Sequence, residues 1–299
     1  MNINKLLEKC NLCPRGCGVN RIKGEMGACH ETVEIMLSRA ALHMWEEPCI
    51  SGEEGSGAVF FGGCQLGCCF CQNRLISGGK RGRIISIEEL CDIFFELKKQ
   101  GANNINLITP DHYVPQIIAA IELAKKKGFD LPFVYNCSGY EKVSVLEQLE
   151  GYIDIYLPDF KYMSHELAQR YSKAYDYPDI AKAAIGEMVR QCGGDKISFD
   201  DRGIMKRGVI VRHLQLPGQI ADSKNVIKYL NEQYGDKIYI SIMNQYTPMP
   251  GIEKDYPELA NKLPDSEYDE LVDYAISLGV ENGFIQEGDT ALESFIPDF

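Results

Sequence analysis

The stretch FFGGCQLGCCFCQNRLIS, residues 60–77, places Cys64, Cys68, Cys69 and Cys71 within eight positions. Thiols this dense hold a metal, pair as a disulfide or carry redox chemistry. Cys64, Cys68 and Cys71 follow the spacing Cys-x3-Cys-x2-Cys, and Gly62, Gly63 and Gly67 let the backbone curl around a bulky ligand. Thiolates suit zinc or an iron–sulfur cluster. Adjacent residues rarely face one ion together, so Cys69 is expected to pack behind the loop as a small hydrophobe. A four-iron cluster takes four ligands and this loop offers three, which leaves one iron free to bind something else.

A second set lies earlier. Cys10, Cys13, Cys17 and Cys29 are spread over CNLCPRGCGVNRIKGEMGAC, a segment with few large apolar side chains. It cannot build much of a core alone, and a bound metal would supply the missing stability. Zinc and a second iron–sulfur cluster both remain open for it. The remaining cysteines read as packing: Cys91 on the apolar face of a helix, Cys192 at a helix end, and Cys49 before a loop. Cys137 is expected to face away from Asn136 and Ser138, toward the core.

The chain of 299 residues is 45% apolar, enough for one large domain with a small appendage. No apolar run approaches the ~20 residues of a membrane span, and the start, MNINKLLEKC, lacks the apolar core of a signal peptide. Twelve cysteines in such a chain read as metal ligands or reactive thiols in a reducing, cytoplasmic setting. The net charge of -12 argues against a general nucleic-acid or anionic-membrane binder. One basic patch, Arg74, Lys80, Arg81 and Arg83, follows the cysteine loop; it is either a solvated loop or a docking spot for an acidic electron carrier.

From about residue 57, short β-rich runs alternate with amphipathic helical segments. The runs are AVFFGGC, NINLITP, PFVYNCS, DIYLPDF, VIVRHLQL, YISIMNQY and GFIQEG. Helix candidates lie between them, such as 87–101 and 114–128, each ending on lysines and a glycine. Residues 165–208 break the rhythm with two helical stretches and a hairpin signal at Asp201-Arg202-Gly203. Alternation predicts an α/β fold with parallel strands and helices outside, as a barrel or an open sheet. In such arrays function gathers at the carboxyl ends of the strands. The polar residues there are Thr109, Asp111 and His112; Asn136 and Ser138; Asp159 and Lys161; Arg212 and His213; Asn244 and Gln245; Gln286 and Glu287. Trp45, the sole tryptophan, reads as a packing anchor or a lid.

The Cys-x3-Cys-x2-Cys motif, with Phe70 before its last cysteine and Asn73 after it, resembles the radical S-adenosylmethionine superfamily. GAVFFGGCQLGCCFCQN, DIYLPDFKYMS and VIVRHLQLPG resemble its pyruvate formate-lyase activating-enzyme branch. With CNLCPRGCGVNR, SRAALHMWEEPCISG and NLITPDHYVPQI they resemble a group related to those activating enzymes, over nearly the whole chain. The resemblance implies a partial (β/α)6 barrel of radical S-adenosylmethionine type over residues 41–299, with a small cysteine-rich, metal-binding segment over residues 1–40.

It further implies a [4Fe-4S] cluster on Cys64, Cys68 and Cys71, with S-adenosylmethionine chelating the open iron. Reductive cleavage then yields a 5′-deoxyadenosyl radical that abstracts hydrogen from a substrate C–H, with a flavodoxin or ferredoxin as electron donor. Relatives hold the methionine amino group with a Gly-Gly-Glu stretch after strand two. Here Thr109-Pro110-Asp111-His112 stands in that place, with Asp111 to accept from the ammonium and Thr109 to offer its hydroxyl or carbonyl. By the same resemblance Asn136, Ser138, Asp159, Lys161, Arg212 and His213 contact the cofactor. A glycine of a partner protein is the substrate this branch implies; a peptide or a small molecule is the alternative. A non-catalytic iron–sulfur or zinc sensor or scaffold is the reading from another class.

Overall fold

The computed structural model describes residues 5–79 and 81–286. Lys80 and Glu287 lie outside the described residues. Among those described, ten strands form one sheet: β1 (Ile35–His43), β2 (Ser56–Phe61), β3 (Arg83–Ile85), β4 (Ile105–Ile108), β5 (Phe133–Cys137), β6 (Ile155–Pro158), β7 (Ser198–Phe199), β8 (Met205–Leu214), β9 (Tyr239–Met243) and β10 (Gly283–Ile285). The order is β10-β9-β8-β6-β5-β4-β2-β1-β3, with β7 paired to β8. Every pairing from β2 through β4, β5, β6, β8 and β9 to β10 is parallel. The sheet does not close on itself, since its ends are β3 and β10. This is the α/β fold expected, an open sheet of partial-barrel type.

The strands are short apolar runs buried on both faces, as parallel strands under helices must be; every residue of β2, β4, β5 and β6 is buried. The covering helices start and stop on local signals. Helix Ile87–Lys99 opens with a capping box between Ser86 and Glu89 and ends on Lys98 and Lys99. Helix Val114–Lys126 carries Pro115 in its first turn. Phe94 of the first packs edge-on to Phe133 of β5 at 5.2 Å, so aromatic burial fixes helix to sheet.

Three strands, β1, β3 and β7, lie outside the alternating rhythm. β1 pairs antiparallel with both β2 and β3 and caps one end of the sheet. It is half-buried along most of its length, so it presents no apolar run. β1 also runs across residues 40 and 41, carrying the cysteine-rich segment directly into the sheet. Residues 165–208 contribute helices His165–Ser172 and Tyr177–Cys192 and the β7–β8 hairpin, turned at Gly203 with a positive φ of 78°. Trp45 is not a packing anchor: it is 61% exposed. No helix among the described residues is long and apolar enough to cross a membrane.

Candidate active site at the carboxyl ends of the strands

The loop after β2 curls over the end of the sheet. Phe70 anchors it, ringed edge-on by Tyr162, Tyr171 and Tyr246 at 6.4–6.5 Å. Cys64, Cys68 and Cys71 line a cavity of about 270 Å³, and Cys69 is not part of its lining. The Cys69 amide donates instead to the Tyr171 carbonyl at 2.8 Å, and its thiol takes a hydrogen bond from Tyr256.

The three cavity thiols are built to carry negative charge. The Leu66 amide points at Cys64 Sγ at 3.4 Å, Ser172 Oγ at Cys68 Sγ at 3.0 Å, and the Asn73 amide and Ser77 hydroxyl at Cys71. The Lys161 ammonium is felt by both Cys68 and Cys71. Burial, then mutual repulsion, pushes the Cys64 thiol up to about 12 and Cys71 to about 11. Without a positive metal Cys64 and Cys71 therefore keep their protons, and metal binding must expel them.

Across the cavity stand Thr109, Asn136, Ser138, Asp159, Lys161 and Arg212, from the ends of β4, β5, β6 and β8. Arg212 Nε donates to Asp159 Oδ1 at 3.0 Å, and Nη2 to Asn136 Oδ1 at 2.7 Å. Its Nη1 lies 3.5 Å from Glu46 Oε2, which also accepts from Asn136 Nδ2 at 3.0 Å. Lys161 Nζ donates to Asp159 Oδ2 at 2.6 Å. Burial alone would raise Asp159, yet the Lys161 and Arg212 cations hold its carboxyl below the ordinary value. Two anions and two cations, with Asn136, thus fix each other across the ends of β5, β6 and β8 and the segment that carries Glu46, which holds the polar rim rigid. Thr109 has a positive φ of 57°, an outlier for a β-branched residue, held by its amide on the Asn136 carbonyl at 2.9 Å.

Asp111, His112 and His213 do not line this cavity. His213 is buried between the Phe160 carbonyl at 2.8 Å and Ser223 Oγ at 2.9 Å, and burial lowers it to about 4. His112 Nε2 sits 2.7 Å from the Gly62 carbonyl, and burial lowers it to about 3. Asp111 turns under the β4 end toward Tyr135 and Glu141.

The sequence reading missed Arg15 and Arg21. Arg15 donates to the carbonyls of Gln65, Leu66, Ser172 and Lys173, pinning the cysteine-rich segment to the cluster loop. Arg21 is wholly buried and donates to the Thr32 and His112 carbonyls, over the Tyr113 ring at 5.5 Å. Each arginine stands inside the Cys10–Cys29 segment, the one local signal that marked them. Cys10, Cys17 and Cys29 all act on the Cys13 thiol, so the four thiols are brought together. Gly63, with a φ of 81°, sits so close to this segment that a Cβ would lie 2.5 Å from the Cys29 carbonyl and 2.4 Å from Glu31 Cγ.

Residues 58–193 match the family model described as the Radical SAM superfamily. That stretch is similar to radical SAM domains. The match begins in β2, takes in the three-cysteine loop and ends after helix Tyr177–Cys192. A radical SAM domain implies a [4Fe-4S] cluster and S-adenosylmethionine, and the donor set fits. Three thiols share one cavity, each receives a hydrogen bond, and a lysine stands beside two of them.

The chain is 27% identical over 278 residues to an uncharacterised protein of Methanocaldococcus jannaschii, MJ0674, covering 90% of this chain and 75% of that one. SuiB of Streptococcus suis bound to precursor peptide SuiA aligns with a TM-score of 0.48 and 15% identity over 76% of this chain. SuiB bound to S-adenosylmethionine aligns at 0.48 and 17% identity over 75% of this chain. The chain spans about half of SuiB's length, 47% and 48% in the two alignments.

Proposed function

We propose that this chain is a radical S-adenosylmethionine enzyme that abstracts hydrogen from a substrate C–H, with a protein or peptide glycine as the substrate. The observation that carries the reading is the convergence of Cys64, Cys68 and Cys71 on one cavity from which Cys69 is absent. Cys64, Cys68 and Cys71 would hold a [4Fe-4S] cluster there, and that group would supply the electron for reductive cleavage of S-adenosylmethionine. The chain's own part is positioning. Asn136, Asp159, Lys161 and Arg212 form a rigid polar wall opposite the thiols, suited to the carboxylate, amine and ribose hydroxyls of the cofactor. The glycine substrate rests on the sequence resemblance alone.

The electron enters, on this reading, from an acidic flavodoxin or ferredoxin docking on Arg74, Arg81 and Arg83, all exposed beside the cluster loop. Anaerobic reconstitution followed by dithionite and S-adenosylmethionine should release 5′-deoxyadenosine. A fully loaded protein that releases none would sink the enzyme reading in favour of a sensor or scaffold. With reduced ferredoxin in place of dithionite, Arg74→Glu should slow the release in low salt only; an unchanged rate dismisses the docking surface.

For the quartet Cys10, Cys13, Cys17 and Cys29 we propose a metal site and favour a second iron–sulfur cluster over a zinc ion. Thiolates around one zinc stand about 3.8 Å apart, given a Zn–S distance of about 2.3 Å in a tetrahedron. Among the described residues no three of these thiols come within 4.8 Å of one another. A Cys10→Ala/Cys13→Ala variant should lose iron and keep its zinc content unchanged; loss of zinc instead makes the site a structural zinc centre.

A further inference from the structure

At the cavity wall, Cys137, which lines it, and Asp111 and Glu141, which do not, bring their ligand atoms within 4.8 Å of one another, all three buried. Cys137 therefore does not simply pack in the core: its thiol donates to Glu141 Oε2 at 3.4 Å. Ser138 Oγ donates to Glu141 Oε1 at 3.3 Å, and Tyr135 Oη to Asp111 Oδ1 at 3.4 Å. The two carboxyls contact each other, yet Asp111 Oδ2 has no donor. Gln65, 2% exposed and beside Asp111, likewise leaves its Oε1 without a partner; its Nε2 reaches Ser138 Oγ at 3.4 Å.

The groups facing the pair are Tyr135 and Cys137 of β5, Ser138, Gln65 of the cluster loop, and Tyr177 of helix Tyr177–Cys192. Each is neutral. Two touching carboxylates buried among neutral groups cannot both stay ionised. A single proton between them gives Asp111 Oδ2 its missing donor and leaves one negative charge. Burial raises both acids in the same direction.

Two neighbours of Glu141 line the cavity, Ser138 and Cys137, and of these the hydroxyl is the better proton relay, since burial holds the Cys137 thiol protonated. Asp111 is 2% and Glu141 4% exposed, while Ser138, hydrogen-bonded to Glu141, lines the cavity. A second proton would make the pair neutral, whereas losing the first would bury two negative charges. The favoured direction is therefore uptake. We propose that Asp111 and Glu141 share one proton and act, through the Ser138 hydroxyl, as the base for a substrate that carries an ionisable O–H or N–H bond. That bond breaks heterolytically and its proton goes to Ser138 Oγ. Ser138 passes its own proton to Glu141 Oε1, and the electron pair stays on the substrate atom. The base deepens the radical-enzyme reading and rests on it for its substrate.

Infrared spectroscopy of the reconstituted protein tests it without turnover. A protonated-carboxyl carbonyl band is expected at pH 7 and is lost in the Asp111→Asn/Glu141→Gln variant. Its shift on transfer to D2O is expected to slow at least tenfold in Ser138→Ala. Both acids bind protons more tightly folded than unfolded. Wild-type stability should therefore fall relative to the double variant as pH rises from the ordinary carboxyl range, about 4, through the folded-state values.

A folded, loaded protein without the band overturns the proposal, and a divalent ion lost in the double variant would make the cluster a metal site. Exchange unaffected by Ser138→Ala overturns the outlet. A normal band in a protein that releases no 5′-deoxyadenosine sinks the enzyme reading and leaves the shared proton standing.

Discussion

Cys64→Ala, Cys68→Ala and Cys71→Ala should each abolish 5′-deoxyadenosine formation, whereas Cys69→Ala should leave it near the wild-type level. The first three sulfurs share the cavity, and each receives a hydrogen bond that stabilises a thiolate. Removing one leaves two ligands for a cluster that already lacks a fourth. Cys69 faces Tyr256 and the segment around Glu258, away from the cavity, so its truncation removes only a small half-buried side chain. Iron and sulfide analysis with the cluster's visible absorption reads the result. The three single variants should lose the iron of the cavity cluster. Bleaching of the cavity cluster by Cys69→Ala would show that the wrong three thiols have been assigned.

Arg21→Ala should destabilise the metal-free protein by about 3–5 kcal/mol, the usual cost of removing one partner from a buried charge network. The guanidinium is 0% exposed and serves the carbonyls of Thr32 and His112. Its charge also counters the buried Glu31, whose carboxyl is raised by burial and relieved by Tyr113 and Arg21. Truncation strands two acceptors and a carboxyl that already has one oxygen without a partner. Arg21→Lys should recover little, because one ammonium cannot reproduce the forked contact. Guanidinium unfolding reads the change as a lowered midpoint at unchanged slope. A shift below about 0.5 kcal/mol, the range of ordinary surface changes, would mean that the segment is not anchored there.

Much of this was legible in one dimension. The three-cysteine spacing is local, and the parallel strands announce themselves as apolar runs because both faces are buried. The hairpin before β8 was marked by Asp201-Arg202-Gly203. What stayed hidden depends on distance in the chain. Arg15 meets Ser172 across 157 positions, and Asp111 meets Glu141 across a strand crossing that no periodicity encodes. β1 was missed because a strand half-buried along most of its length lacks a continuous apolar signature. Asp111 and His112, placed on the rim by sequence position, turn inward because the chain after Thr109 dives into a helical turn, Asp111–Tyr113, beneath the strand end.

The fork of Arg15 has a thermodynamic consequence. It lies between Cys13 and Cys17 and grips the backbone of Gln65 and Leu66, while the Cys29 carbonyl abuts Gly63. Ordering either loop therefore pre-orders the other. By reciprocity, whatever factor the occupant of one thiol set lends to the affinity of the second is returned in equal measure. If the quartet holds the metal proposed for it, a chelator that strips that metal should loosen the cavity cluster by the same factor.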